Sequence, residues 1–573
     1  MTAGFTSFDT RLSFLYHKRM KKVCFYRICL FFAASIFSYP TFAQEALKST
    51  EEEYYDFLSL QGITVRPSLN YRTLSDSEWN FTEKEETAGG TELSHPWQNN
   101  NLGSKRALWQ PQEQSESFYL KGVPQGIFLK PYGPEWYNSY NTAAPYGQND
   151  GALWQGKGYN TSLTAGVRLE AYGLELTVKP QLCWQENREF DIMPSNTDSE
   201  YGYFWGYGKN IGCDAPQRFG DSSFWTFDWG DTEIRYTWHT LTVGFGTQSI
   251  WLGPAYENPV LHSNNAPSYP KFDIGIRKQR VVVPGLNWNL GEIEGRIWIG
   301  YLTESDYFDT NSDNNHNMIN GFAVAYSPSF IPGMTISVNK VCLCKWDDRS
   351  IKYFNPFYNS NEIEDQKASF GIDWIFPQVG FEVYGELGID DYMDFQTYIE
   401  RTLTYTVGLK KSMTISSKKS IAGKLYFEWN NSEMSQDFQF QWPYNFGFHH
   451  IVTQGYTNKG QWIGSGIGYG GNNQILGFSL YHKKGFINLF FQRGNPDLNY
   501  IFSKAVNSSA KDNVLDGFPV KSYINIGGTN SNYITKDFII SESFVFNKIR
   551  RPHYKNEECI YNCYFQLSLK YIF

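Results

Sequence analysis

Beyond its N-terminal segment, the sequence lacks any long apolar run. A helix that crosses a bilayer needs about 20 consecutive apolar residues, and no stretch after residue 43 approaches that length. The mean hydropathy of −0.46 agrees with this absence. Together the two features exclude a helical membrane protein.

Cysteine, methionine and histidine are also scarce, at eight, eight and nine residues of 573. Cys24 and Cys29 lie in the N-terminal segment, and the other cysteines show no spacing typical of a zinc site. We therefore predict no metal and no cofactor. Cys183 and Cys213 are a candidate disulfide, because the chain carries an export signal and disulfides persist in oxidising compartments.

Basic residues are in the minority. The chain has 50 Lys and Arg against 58 Asp and Glu, which gives a formal net charge of −8. Residues 1–43 hold six basic residues and one acidic residue, so the remainder carries −13. Binding to nucleic acid requires a basic face that displaces counterions. The sequence therefore predicts no nucleic acid partner.

Residues 1–43 have the features of a secretory signal peptide. Basic residues precede a ten-residue apolar core, Ile28–Phe37, and Thr41–Ala43 offers a small-residue cleavage site. The residues before Met20 do not fit such a signal, so Met20 is a candidate for the true start. We expect an exported protein whose mature chain begins near Gln44.

Aromatic residues are abundant, at 18% of the chain. They recur in runs of period-two alternation, such as Leu174–Trp184 and Phe381–Ile389, with one face apolar and the other polar. Many positions on the polar face are charged, including Glu382, Glu386, Lys424 and Glu428.

These alternating runs continue through residues 157–573 without a linker. Their number, about 18, is typical of large porin-like barrels. Soluble β-domains also alternate, but they rarely exceed a few hundred residues without a boundary. We therefore predict an all-β fold, a transmembrane antiparallel β-barrel of about 18 strands.

The last run, Cys563–Phe573, alternates and stops on an aromatic residue. One apolar face that ends in this way is typical of the closing strand of a membrane barrel. It also resembles the C-terminal signal that barrel assembly machinery recognises. We expect the outer membrane of a Gram-negative cell, with outer-membrane lipid as one partner and that machinery, through Phe573, as another.

Residues 44–156 differ from the predicted barrel. Thr50–Glu53 is a capping box that begins a short helix, which Gly62 can end. The polarity is then mixed and turn residues are frequent. We predict a periplasmic helix and a plug-like lead-in, whose Asp150 and Trp154 are candidate carbohydrate-binding residues; a purely structural role is the alternative.

The most informative stretch is Gly244–Pro270, GFGTQSIWLGPAYENPVLHSNNAPSYP. Its Gly, Pro and Asn residues set unusual backbone angles. A Trp-x-Gly-Pro turn at Trp251–Pro254 is followed by Leu-x-Ser-Asn-Asn-Ala at Leu261–Ala266. These motifs, with the phrase at Pro145–Gly156, resemble the Wzi family of capsule-assembly outer-membrane proteins. Leu252 stands where a second Trp is frequent in that family.

The resemblance implies a non-enzymatic barrel that retains or assembles capsular or extracellular polysaccharide at the cell surface. An aromatic ring covers the apolar side of a sugar and amides bond its hydroxyls. The candidate carbohydrate-binding residues of the loop are therefore Trp251, Tyr256, Asn258, Asn264 and Asn265. The same residues can instead pack inside the barrel and close it.

An outer-membrane diffusion channel for oligosaccharides or small solutes is the alternative function, favoured by the size of the barrel. An anionic polymer would need local cations, for which Lys271, Arg277, Lys278 and Arg280 are candidates. Gly466–Gly471 fits a dinucleotide pattern, but no helix follows to receive a phosphate. We predict that the protein is not an enzyme.

Overall fold

A computed structural model describes most of the chain. The described residues are 49–73, 79–82, 95–97, 119–195, 198–203, 213–346, 352, 355, 364–390, 403–433, 445–499, 520–554 and 558–572. The predicted signal peptide, Met20 and Phe573 lie outside them. Within these ranges no helix is long and apolar enough to cross a bilayer.

Nearly all regular structure in the described residues is β. The one α-helix among them is α1 (Thr50–Ser59), and a short 3₁₀ turn covers Pro377–Val379. Six strands of two residues each are β1 (Thr64–Val65), β2 (Arg72–Thr73), β3 (Asn80–Phe81), β11 (Ile250–Trp251), β20 (Thr457–Asn458) and β21 (Gln461–Trp462). The longer strands are β4 (Ile127–Asn141), β5 (Gly158–Ala171), β6 (Leu174–Val178), β7 (Gln181–Gln185), β8 (Phe224–Asp228), β9 (Glu233–Trp238), β10 (Leu241–Gly246), β12 (Lys271–Val283), β13 (Trp288–Thr303), β14 (His316–Pro328), β15 (Met334–Lys345), β16 (Glu364–Phe376), β17 (Phe381–Asp390), β18 (Thr404–Ser416), β19 (Ile421–Asn431), β22 (Asn472–His482), β23 (Gly485–Asn495), β24 (Ser522–Thr535), β25 (Phe538–Arg550) and β26 (Cys559–Tyr571).

The longer strands close into one antiparallel barrel. Neighbours in the wall follow the order of the chain, and β26 returns to pair with β4. β6 and β7 both pair with β5 and form one interrupted wall strand, and β8 and β9 form the next. With each interrupted pair counted once, the described wall has 18 strands. The predicted β-barrel of about 18 strands is confirmed.

The barrel begins earlier than the boundary predicted at residue 157. β4 is a full wall strand that pairs with both β5 and β26. Its sequence contains Pro131 and Pro134, and its register shifts between Tyr132 and Glu135. A bulge of this kind accommodates residues that cannot continue a regular ladder. Because the two prolines interrupt the alternating pattern, the sequence did not indicate a strand here.

The two faces of the wall have inverted polarity compared with a soluble protein. On β9, Ile234, Tyr236 and Trp238 point outward and are 43–50% exposed. The alternate residues Arg235 and Thr237 point inward and are 3% exposed. Soluble proteins rarely expose a continuous apolar face of this kind. Apolar-out and polar-in alternation is the pattern of a membrane barrel.

The two ends of the barrel differ in the length of their connections. At one end, here the short-turn end, adjacent strands are joined by turns of two to five residues, at 172–173, 239–240, 284–287, 329–333, 377–380, 417–420, 483–484 and 536–537. The connections at the other end, here the long-loop end, are longer, and the segment 247–270 is one of them.

α1 packs against the inner face of the wall at the short-turn end. The Ser49 hydroxyl accepts a hydrogen bond from the Glu52 backbone N–H at 3.0 Å, so the helix cap lies one residue before the predicted Thr50. The Phe57 ring stacks on Tyr481, with centroids 4.1 Å apart. Aromatic burial of this kind fixes the helix next to the turn at 483–484.

The candidate disulfide between Cys183 and Cys213 is wrong. Both residues are buried free thiols in the structure.

Candidate functional site

Residues 247–270, the inward segment, leave the long-loop end and fold into the lumen. Ile250 and Trp251 form β11, which pairs with β2 of the N-terminal region. Trp251 is 1% exposed, and its indole N–H donates to the Ala255 carbonyl at 2.9 Å. The turn, rich in Gly and Pro, thus serves packing within the barrel.

Glu428 of β19 holds the middle of the inward segment. Its carboxylate accepts the backbone N–H groups of Tyr256, Glu257 and Asn258 at 2.7, 3.1 and 2.8 Å. It also accepts the Asn258 side-chain amide at 3.1 Å and the Tyr384 hydroxyl at 2.9 Å. Hydrogen bonds to a charged acceptor in a water-excluded site are stronger than neutral ones. One wall residue therefore fixes an entire loop turn.

Glu386 of β17 makes a second anchor. Its carboxylate accepts the Val260 backbone N–H at 3.0 Å. Gly253 lies against the same carboxylate at a φ of +88°, and a Cβ placed there would be 2.7 Å from the Glu386 Oε2. Glycine is required at this position both by the close approach and by the left-handed backbone.

A chain of polar contacts joins the inward segment to α1. The Tyr256 hydroxyl donates to Glu53 Oε1 at 2.8 Å, and Tyr481 donates to the same oxygen at 3.2 Å. Lys424 of β19 pairs with Glu53 and donates to the Tyr256 hydroxyl at 3.1 Å. Burial raises the pKa of Tyr256 well above its usual range. Its hydroxyl therefore stays protonated and acts as the donor.

A buried charge cluster attaches the N-terminal region to the wall. The Arg66 guanidinium lies 2.9 Å from Asp56, 2.9 Å from Asp373 and 2.7 Å from Glu382. Lys410 lies 3.1 Å from Asp56 and 3.3 Å from Glu382. Burial acts to lower the pKa of Arg66, but the three carboxylates raise it well above its usual range. Arg66 is therefore charged and compensates the acids around it.

Two further loops pack on the inward segment. The Asn149 backbone N–H donates to Asn265 Oδ1 at 3.0 Å, and the Asn264 side-chain amide donates to the Asn149 carbonyl at 3.0 Å. The Asn265 amide donates to the Trp462 carbonyl at 3.0 Å. The adjacent asparagines of the Leu-x-Ser-Asn-Asn-Ala motif thus join residues from three connections.

The structure divides the predicted carbohydrate-binding residues into two groups. Four of them line one cavity: Asp150, Trp251, Tyr256 and Asn264. The other three do not. Asn258 is buried between Glu428 and Gln148, Asn265 holds Trp462, and Trp154 is half-buried against Phe219 with ring centroids 5.1 Å apart.

The cavity has a volume of about 360 Å³ and lies between the inward segment and the opposite wall. Its wall side is made of hydroxyl and amide side chains: Ser162, Thr164, Gln181, Ser479, Asn488, Thr529, Ser531, Ser541, Ser543, Gln566 and Ser568. Its ionisable members are Glu53, Glu135, Asp150, Glu257 and Lys570. Convergent hydroxyls and amides beside an aromatic residue are suited to a polyhydroxylated ligand.

Asp150 has unusual acid–base properties in this cavity. Burial raises the pKa of its carboxyl to about 7, against the lowering effect of a hydrogen bond from Gln155. Near neutral pH the carboxyl is therefore partly protonated, and it can donate to or accept from a hydroxyl group.

The sequence prediction missed the wall side of the cavity. Ser541 and Ser543 of β25, like Thr529 and Ser531 of β24, are inward positions where other strands carry charged residues. Period two identifies them as inward, so a run of small hydroxyl residues at such positions was the available signal. Which strands face each other across the lumen is not encoded locally.

The basic residues proposed for an anionic polymer are engaged elsewhere. Lys271 is buried and donates to the Gln248 carbonyl. Arg277 pairs with Glu175, and Lys278 lies 3.3 Å from Glu292. Arg280 is exposed near the short-turn end. None of the four lies on a long-loop connection, because β12 carries all of them along the wall.

Comparison with known proteins identifies the relatives of this chain. A sequence model of the family described as capsule assembly protein Wzi matches residues 138–486, more than half of the chain. The comparison with curated proteins gave no match.

Solved structures resemble the fold. One is Wzi from Escherichia coli, described as an outer membrane protein involved in group 1 capsule assembly and as a carbohydrate binding β-barrel. It has 13% sequence identity and a TM-score of 0.53, over 77% of this chain and 85% of that one. OccAB4 from Acinetobacter baumannii has 8% identity and a TM-score of 0.37, over 78% of this chain and 98% of its own.

Proposed function

This chain belongs to the Wzi family of capsule assembly proteins, and from that premise we propose that it is an outer-membrane barrel that holds capsular or other extracellular polysaccharide at the surface of a Gram-negative cell. The family match over residues 138–486 carries the proposal, because it spans the inward segment and most of the wall. We propose that the protein binds polymer and does not act on it chemically.

The outer face of the wall supports the membrane location. Apolar residues project outward on successive strands, as on β9, and apolar side chains favour hydrocarbon over water. In outer-membrane barrels the short turns face the periplasm and the long connections face the exterior. By that rule α1 lies on the periplasmic side, and the inward segment enters from outside.

The inward segment favours retention over diffusion. Glu386, Glu428 and Glu53 together bond it to two wall strands and to α1. A channel for free solute passage gains nothing from so many buried bonds across its lumen. A barrel that presents a fixed surface to a polymer does gain, since preorganised groups lose less entropy on binding.

Removal of the protein tests the role directly. We expect a deletion strain to synthesise normal amounts of polymer but to release most of it into the medium. The measurement is the ratio of cell-bound to released polysaccharide, with plasmid-borne wild-type protein as the control that restores retention. An unchanged amount of cell-bound polymer in the deletion strain would contradict the proposal.

We further propose that the luminal cavity takes a short segment of the polymer. Asp150→Asn removes an acidic donor and acceptor without changing volume, and should weaken binding about fivefold to tenfold. Ser543→Phe fills the cavity from the wall and should abolish binding there. Calorimetric titration of the purified barrel with one repeat unit of the polymer measures both effects.

Asp313→Asn is the matched control, because Asp313 is exposed on the 304–315 connection. It should leave the affinity unchanged. If Asp150→Asn and Ser543→Phe both bind the repeat unit like the wild type, the cavity is not the carbohydrate site, and the retention proposal would then rest on the outer loops.

A further inference from the structure

A row of side chains crosses the outer face of β23 to β26 close to the long-loop end. The register places Arg493 beside Ile524, Ile524 beside Lys548 and Lys548 beside Tyr561. Because directly paired residues share a face, all four project outward. Arg550 follows on the same face two residues after Lys548.

The next row on the outer face lies two residues nearer the short-turn end along each strand, and it is apolar. It contains Phe491, Ile526 and Phe546, which are 45%, 54% and 37% exposed. The basic side chains therefore sit at the edge of the apolar outer surface. Long cationic side chains at such an edge reach the headgroup level while their stems cover apolar surface.

These cations differ from those inside the barrel. Arg235, Lys367 and Lys410 project inward, and each pairs with carboxylates. Arg493 instead donates to neutral amides, to Gln474 at 2.7 Å and Asn495 at 3.2 Å.

Lys548 lies over the Tyr561 ring, 5.4 Å from its centroid. Over the described parts of the chain, no carboxylate lies within ion-pair distance of Arg493, Lys548 or Arg550. Three positive charges on one outer patch thus lack an acidic partner there.

We propose that this row is a docking site for a phosphorylated glycolipid of the outer leaflet. Arg493, Lys548 and Arg550 bind its phosphate groups, since guanidinium and ammonium groups form short charge-assisted bonds to phosphate. The acyl chains lie along Phe491, Ile526 and Phe546, and Tyr561 offers its ring to the sugar. The proposal rests on the outer-membrane location and is independent of how the polymer is bound.

The apolar row selects the lipid over an anionic polymer. A soluble polysaccharide needs cations but gains nothing from exposed phenylalanine and isoleucine on the side that faces hydrocarbon. A lipid that contacts both rows gains binding free energy from its phosphates and from its acyl chains. Cationic amphipathic segments bind membrane surfaces through the same two contributions.

The test compares glycolipid binding by the detergent-solubilised barrel and by the triple variant Arg493→Gln, Lys548→Gln and Arg550→Gln. The probes are a diphosphorylated, acylated glucosamine disaccharide and the same lipid without phosphate. We expect the wild type to bind the phosphorylated lipid at least about tenfold more tightly than the triple variant. We expect both proteins to bind the dephosphorylated lipid equally weakly.

The control variant carries Lys418→Gln, Lys419→Gln and Lys536→Gln. These three lysines are exposed in turns at the opposite end of the barrel, so the control has the same change in net charge. It should bind the phosphorylated lipid like the wild type. Heat-dependent migration on gels verifies that each variant is folded, and Lys548→Gln alone replaces the triple variant if that protein fails to fold.

Three results would overturn the proposal. One is equal binding of the phosphorylated lipid by the wild type and the triple variant. Another is equal binding of the two lipids by the wild type. The third is a loss of affinity in the triple variant for an anionic polysaccharide but not for the lipid, which would assign the row to polymer.

Discussion

Replacement of Glu428 by alanine is expected to release the inward segment and to raise the ion conductance of the purified barrel several-fold. The substitution removes the acceptor of three backbone N–H groups, two of them buried, and of two buried side chains. Leaving buried donors without a partner costs roughly 1–3 kcal/mol each. Even if the surrounding residues relax, the total cost is about 3–5 kcal/mol. This cost changes the equilibrium constant between the docked and the released segment by more than about a hundredfold.

Planar-bilayer recording measures this effect, and limited proteolysis checks that cleavage occurs within residues 247–270. Glu542→Ala is the matched control, because Glu542 lies exposed on the outer face of β25, where it faces away from the lumen. The control should conduct like the wild type. Unchanged conductance and unchanged proteolysis of Glu428→Ala would show that the inward segment is held by other contacts.

Replacement of Arg66 by methionine is expected to destabilise the attachment of α1 by roughly 3–5 kcal/mol, the usual cost of breaking a buried ion cluster from one side. The variant leaves Asp56, Asp373 and Glu382 close together, with Lys410 as the remaining cation beside Asp56 and Glu382. Methionine has a similar length, so the change removes charge and hydrogen bonds more than volume.

The effect of Arg66→Met should depend on pH in a defined direction. At neutral pH the charged carboxylates of the cluster lose the compensation that Arg66 supplies, so the penalty is largest. As the pH falls, protonation of these acids removes the uncompensated charge, and the difference from the wild type shrinks. Thermal unfolding between pH 7 and pH 4 measures it. Arg280→Met, an exposed arginine of β12, is the control. A penalty that is equal at both pH values would contradict the electrostatic account.

The faces of the wall were predictable because strand geometry allows only two directions for a side chain. Glu382, Glu386, Lys424 and Glu428 were assigned to the polar face from alternation alone, and all four are buried inside the barrel. The number of strands followed from the number of alternating runs in the sequence. The short helix followed from its capping residues, with its start displaced by one position.

Other features followed from longer-range structure. β4 was not predicted as a wall strand, because proline and glycine interrupt its pattern at the register shift between Tyr132 and Glu135. The cavity depends on which strands oppose the inward segment, and the hydroxyl residues of β24 and β25 carry no sign of that placement in their own neighbourhood.

The amino-acid sequence by itself determined a closed barrel with an apolar exterior, because alternation and strand length are local properties. It also identified Gly244–Pro270 as exceptional. Only the tertiary structure decided what that stretch does, since Asn258 and Glu428 meet across 170 positions of sequence. A carboxylate that cradles backbone N–H groups recognises no particular side chain, and so it leaves no local pattern at either end of the contact.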